Sequence, residues 1–146
     1  MTLEQILNSY DFSPRFLAYF ASQCAKEAMT TVKDPDPRSM LAIEVAERYG
    51  NGEDFDQGYL DKVRADAFAA ASAFAATFAA ACSAAAAYFA AASYAASYYS
   101  AAASRSAAQA LGKDQDYFVP LLLRLIETRL TKLEQCLILR NPDESN

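Results

Sequence analysis

Histidine is absent from this 146-residue chain, glycine occurs only four times and cysteine three times. Without histidine the commonest general base is missing, and with it every Ser-His or Cys-His nucleophile arrangement. Zinc sites of the usual Cys and His type are excluded on the same ground. Gly50, Gly52, Gly58 and Gly112 never reach the spacing of a phosphate-cradling loop, so nucleotide hydrolysis has no support in the sequence. Cys24, Cys82 and Cys136 are odd in number, far apart and free of any CxxC pairing; they read as buried thiols in a reducing compartment. The stretch Met1 to Tyr10 lacks the basic start and apolar run of a secretory signal, which predicts a cytoplasmic protein. The chain is expected to be nonenzymatic, with no catalytic residue, cofactor or metal.

Charge is short on the basic side. The chain carries 18 acidic and 13 basic side chains, and Met1 to Asp66 holds 12 of the acids against 7 bases. Nonspecific nucleic-acid binding needs clustered Lys and Arg to displace counterions, so direct binding to nucleic acid is not expected. An acidic first half suits a basic partner.

Charge disappears altogether from Ala67 to Ser104, 38 residues of which 22 are Ala, with no Gly, Pro, Leu, Ile or Val. Alanine loses no side-chain entropy in a helix, and no Gly or Pro interrupts Tyr59 to Leu111, so the tract has every local reason to be helical. Positions alternately four and three apart, from Ser72 through Ser83, Ser93, Ser97 and Ser100 to Ser104, form a stripe with nothing larger than Ser. Such a seam lets another helix backbone approach closely. An unbroken helix over 57–111 would be roughly 80 Å long, against a radius of gyration near 15 Å for a compact domain of this length. The tract therefore either folds back between Cys82 and Ser100, most readily in the Ser-rich stretch Ser93 to Ser100, or forms a rod buried by a second copy. A membrane span of about 20 residues would fit its length. The absence of Leu, Ile and Val and the scattered tyrosines argue against insertion.

The remaining helices carry local start and stop signals. Thr2 with Gln5 makes a capping box ahead of Leu3, Ile6 and Leu7. Ser13 and Pro14 open a helix with Phe16, Phe20 and Cys24 on one face, ending near Val32. Asp36 and Pro37 open the next, with Leu41, Val45 and Tyr49 toward the core and Gly50 as its stop. Asp56 caps a fourth helix that runs into the alanine tract, and a last one starts at Asp116 to Pro120 and reaches about Leu139. The expected fold is all-α: one domain over 1–146, a bundle of five to six helices around a buried Ala-rich helix or helical hairpin, with a polar tail over 141–146.

Two constellations could carry function. Glu44, Glu47, Glu53, Asp54, Asp56 and Asp61 fall within one short segment. They read as a solvated acidic face, as a contact surface for a basic protein, or as oxygen ligands for a divalent cation. Tyr94, Ser97, Tyr98 and Ser100 could line a small-ligand pocket between alanine helices, or be core residues with their hydroxyls at the surface.

In the order of its features the chain resembles the alanine-rich immunity proteins of bacteria and phages. The resemblance rests on Cys24 and Ala25, on the helix start Asp36 to Arg38, on Ala42 to Ala46, and on the turn at Gly52 and Glu53, followed by the long alanine tract. It covers about Phe16 to Leu111, and implies neutralisation of a toxin or effector by binding, with no catalytic residue to carry over. The first expectation is accordingly an inhibitor of a protein target, immunity-like or anti-defence in the manner of an anti-CRISPR, whose acidic face meets a basic or nucleic-acid-binding surface. The alternatives are a small-ligand sponge using the Tyr and Ser pocket, and a structural homo-oligomer zipped along the small-residue seam.

Overall fold

In the computed structural model, residues 1–74 and 96–129 are described, with side chains over 1–70 and 100–129. Among them six α-helices pack against one another without a strand: α1 Leu3–Ser9, α2 Pro14–Ala28, α3 Pro37–Gly50, α4 Gln57–Phe74, α5 Ala96–Ala110 and α6 Val119–Arg129. A helical bundle is thus the architecture.

The starts of α1 to α4 obey a local rule. Thr2 and Gln5 form the full capping box of α1. Ser13 accepts from the Phe16 N–H at 3.1 Å ahead of Pro14, Asp36 accepts from the Arg38 N–H at 2.8 Å ahead of Pro37, and Asp56 accepts from the Tyr59 N–H at 3.3 Å. Orphan donors in the first turns are satisfied in this way. α2 ends at Ala28 in a 3-10 turn, Met29–Thr31, three residues wide.

The stop of α3 differs from expectation. Gly50 is the last helical residue, and the left-handed position is Gly52, with φ of 100°. There the Glu53 N–H donates to Arg48 O and the Gly52 N–H to Tyr49 O, a Schellman closure. α5 ends identically: Gly112 has φ of 69°, Lys113 N–H donates to Ala108 O and Gly112 N–H to Gln109 O. Gly50 serves packing instead, because a Cβ there would lie 2.7 Å from both Cβ and N of Tyr19.

α2 is the hub of the described helices. It packs on α3, α5 and α6, and nine of its fifteen residues are buried, too many for a single stripe. Ala18, Ala21 and Ala25 of α2 and Ala103, Ala107 and Ala108 of α5 are all fully buried, small side chains of the kind that permit close helix approach. Ser100 and Ser104, the described end of the small-residue seam, are fully buried too, and donate to Leu17 O at 3.4 Å and Ala101 O at 2.9 Å. α4 meanwhile packs on α3. Both ends of the alanine tract therefore line one hydrophobic cluster with α2 and α3, a placement that a straight rod of roughly 80 Å would forbid. Ser97 to Ser100 are helical, within the first turns of α5. The rest of the expected break and seam, the last helix beyond Arg129, Cys82, Cys136 and the polar tail lie outside the described residues. Cys24 is buried, and burial, with Glu27 nearby, pushes its thiol well above the ordinary value, as an inert core thiol requires.

Leu41 corrects the expected core stripe of α3. It is 37% exposed, while Ser39, Ala42, Ile43, Val45 and Ala46 form the buried face. Ser39 is fully buried and its hydroxyl has no hydrogen-bond partner among the described residues. Ser39→Ala removes that unsatisfied group and adds helix propensity. It is expected to raise stability by about 0.5–1.5 kcal/mol, read from urea denaturation; a loss of stability would mean that the hydroxyl is bonded in solution.

Candidate protein-binding face

The acidic segment lies on the outer side of α3, in the turn that follows, and at the start of α4. α2 supplies two of its counterions. Arg15 donates to Asp54 at 2.6 Å, to Tyr49 O at 2.8 Å and to Glu53 O at 3.0 Å, with its guanidinium 4.4 Å from the centre of the Tyr49 ring. Lys26 pairs with Glu47 at 3.2 Å, and Gln23 donates to the same carboxylate oxygen at 2.6 Å. Arg48 pairs with Glu53 at 2.5 Å and more loosely with Glu44 at 3.7 Å. Asp56 is spent on its cap, and Asp61 accepts from Gln57 at 3.1 Å. The six carboxylates are brought to one region, yet they are not equivalent. Glu47, Glu53 and Asp54 brace α3 and its turn, whereas Glu44 pairs only loosely with Arg48 and the half-buried Asp61 accepts from Gln57 within its own helix.

Reversing Glu44, Glu47, Asp54 and Asp56 together would look harmless from the sequence. The structure engages three of those four side chains, Glu47 and Asp54 in ion pairs and Asp56 in a helix cap. Among the described residues no three acidic or cysteine side chains are grouped to hold a metal ion.

Among the described residues two carboxylates have perturbed titrations. Asp36 is held below the usual carboxylate range by hydrogen bonds from the Arg38 side chain and backbone, at 3.0, 2.8 and 2.8 Å. For Glu47, partial burial works upward but is outweighed by the hydrogen bonds from Gln23 and Lys26 and by the charges of Lys26 and Arg129, so the net shift is downward. Both folded-state values lie below the unfolded ones, so the unfolded chain takes up protons first as acid is added. The stability they contribute is complete above the unfolded carboxylate value of about 4 and is lost as pH falls through the lower folded values. With no histidine to titrate, the melting temperature is expected to stay level from about pH 6 to 8 and to fall below about pH 4. Sodium chloride titrations at matched pH separate this loss from general charge repulsion.

Beside Glu44 and Glu47 the surface turns apolar. A groove of about 490 Å³ runs between the end of α2 and the first three turns of α3, lined by Met29, Pro37, Met40, Leu41 and Ile43, with Lys26, Glu44 and Glu47 at its rim. Met40 and Leu41 are 42% and 37% exposed. Sequence reasoning missed this feature because Leu41 fell on the i, i+4, i+8 line of Val45 and Tyr49. The adjacent apolar pair Met40–Leu41 carried no signal of its own, since the adjacent pairs Ala42–Ile43 and Val45–Ala46 of the same helix are buried. A second groove, about 550 Å³, opens between α2 and α6 beside Gln23, Lys26, Glu27, Tyr117 and Arg124; there Tyr117 donates to Glu27 at 3.3 Å. That carboxylate, before desolvation and the hydrogen bond itself, is what raises the Tyr117 value.

Of the four residues expected to form a ligand pocket, Ser100 is buried where α2 meets α5, with its hydroxyl donating to Leu17 O. Tyr94 and the side chains of Ser97 and Tyr98 lie outside the described residues. No helix among the described residues is long and apolar enough to cross a membrane. No protein-family profile, curated protein or solved structure matches the chain.

Proposed function

We propose that this chain is a nonenzymatic protein-binding inhibitor, immunity-like or anti-defence in kind, that occupies a basic surface of a partner protein with the outer side of α3 and the turn behind it. One observation carries the reading. Of the six carboxylates from Glu44 to Asp61, four form ion pairs among the described residues, with Arg15, Lys26 and Arg48, while Asp56 and Asp61 pair with no cation there, so this face keeps an excess of negative charge directly beside an exposed apolar groove. Interfaces combine such an apolar centre with a charged rim that steers encounter and selects the partner. The resemblance to alanine-rich immunity proteins points the same way, and the absence of histidine removes the commonest route to an enzymatic alternative.

Immobilised wild-type chain and a Glu44→Lys/Asp61→Lys variant, passed over the same bacterial lysate at rising salt, test the reading. These two carboxylates are the ones whose loss leaves the brace of α3 intact. Wild type should retain a protein that is released by a few hundred millimolar salt, where the Debye length falls to well under 10 Å, and the variant should not retain it. DNA competing for the same retained protein would identify its groove as one for nucleic acid. Retention that is indifferent to both salt and the variant would remove the acidic face from the reading.

A further inference from the structure

The α3 groove has a definite chemical character. Two of its five apolar walls are methionines, unbranched and polarizable, which suit a surface that must repack around an incoming side chain. At its rim Lys26 is neutralised by Glu47 at 3.2 Å, whereas Arg48 is engaged by Glu53 at 2.5 Å and reaches Glu44 only at 3.7 Å. Arg48 thus faces two carboxylates, and Glu44, the more distant and with 60% of its side chain exposed, leaves negative charge in excess beside the groove. A lipid headgroup layer or an acidic segment would meet this charge with like sign. A second copy of the chain, paired groove to groove about a twofold axis, would bring the acidic rim against itself.

We infer that the groove receives an amphipathic basic helix of the partner protein, laying apolar side chains on Met29, Met40 and Leu41 while a Lys or Arg one turn away meets Glu44. The inference rests on the protein-binding reading above and names the chemistry of the partner at that surface. Helix-in-groove recognition supplies its logic: apolar anchors recur at three- and four-residue spacing, so a cation on the neighbouring turn arrives at the groove's edge with the anchors in place. An unpatterned basic chain has the charge without the anchors, and a helix with acidic flanks has the anchors with the wrong charge.

The chain has only three methionines, and Met1 lies outside the groove, so methyl spectra of the full-length protein labelled at Met1, Met29 and Met40 report on the site with an internal control. The probes are a Leu/Lys amphipathic helix of about 18 residues, five turns, an isomer of the same composition with the period scrambled, and a Leu/Glu counterpart. The Leu/Lys helix should shift the Met29 and Met40 methyls and spare Met1. Its affinity should fall at least tenfold in Leu41→Glu and in Glu44→Lys. Both other peptides should leave the two methyls unmoved. Met40→Gln provides a second exposed variant should Leu41→Glu lower the melting temperature.

Shifts confined to amides around Glu53 to Asp61, with silent Met29 and Met40 methyls, would overturn the groove and leave the acidic-face reading standing. No shift with any basic probe would sink both. Equal methyl shifts with the scrambled peptide would overturn the helical partner, and a dimer in light scattering that Leu41→Glu dissociates would assign the groove to a second copy.

Discussion

Phe20→Ala should cost about 3–5 kcal/mol, a large part of the 5–15 kcal/mol that holds a domain of ordinary size together. Phe20 is fully buried and, with Phe118, is among the largest such side chains of the described residues. It sits midway along α2, the helix that α3, α5 and α6 all pack upon. It belongs to a buried cluster rich in alanine, whose side chains cannot lengthen to fill a void, so both the lost transfer energy and the residual cavity count against the variant. Urea denaturation followed by circular dichroism should show a lower midpoint at similar slope, as for a stability loss without a change of folded state. Phe68→Ala is the matched control, because Phe68 is 49% exposed on α4 and its loss should stay within about 0.5 kcal/mol. Equal effects of the two substitutions would mean that α2 is not the hub.

Much of the bundle was legible because its signals are local. Thr2 with Gln5, Ser13 with Pro14, Asp36 with Pro37, and Asp56 each act on the three residues that follow, and each opens the helix expected of it. The rotation of α3 about its own axis was not legible. Leu41, Val45 and Tyr49 form the most hydrophobic line, but α3 lies between α2 and α4, and two close neighbours favour the side bearing Ser39, Ala42 and Ala46. Hydropathy gives little weight to small residues, whereas close helix approach depends on them.

The candidate site shows the same division. The clustering of acids from Glu44 to Asp61 is a property of sequence, and the Glu44–Arg48 pair follows from four-residue spacing on a helix. That Arg15 meets Asp54 across 39 positions, or Lys26 meets Glu47 across 21, follows from the crossing of α2 and α3 alone. Those long-range pairs decide which carboxylates brace the fold and which remain for a partner. The groove has the same origin, since it exists where α2 gives way to the turn at Met29 and α3 begins at Pro37.

Gly50→Ala should lower stability by about 1–3 kcal/mol, although the same exchange in most helices raises it. Ordinarily the added methyl restricts the unfolded chain and improves helix propensity, worth up to about 1 kcal/mol in favour of alanine. At Gly50 the sign is set by contact. The new Cβ would lie 2.7 Å from the Tyr19 Cβ, 2.7 Å from the Tyr19 N and 2.9 Å from the Arg15 O. Two of these are backbone atoms of α2, which can retreat only by moving the helix. That movement would disturb Arg15, which bonds to Tyr49 O and Asp54, and Arg129, whose guanidinium lies 3.6 Å from the centre of the Tyr19 ring and donates to Asn51 at 2.8 Å. Gly52→Ala separates this effect from ordinary glycine loss: nothing surrounds a Cβ there, and its cost comes from a left-handed φ of 100° alone. Methyl shifts at Met29 and Met40 in the folded Gly50→Ala protein should accompany the loss of stability, because both line the groove between the two helices that the new Cβ forces apart. A variant as stable as wild type would show that α2 and α3 do not meet at Tyr19 and Gly50, and the brace of the acidic turn would have to be sought elsewhere.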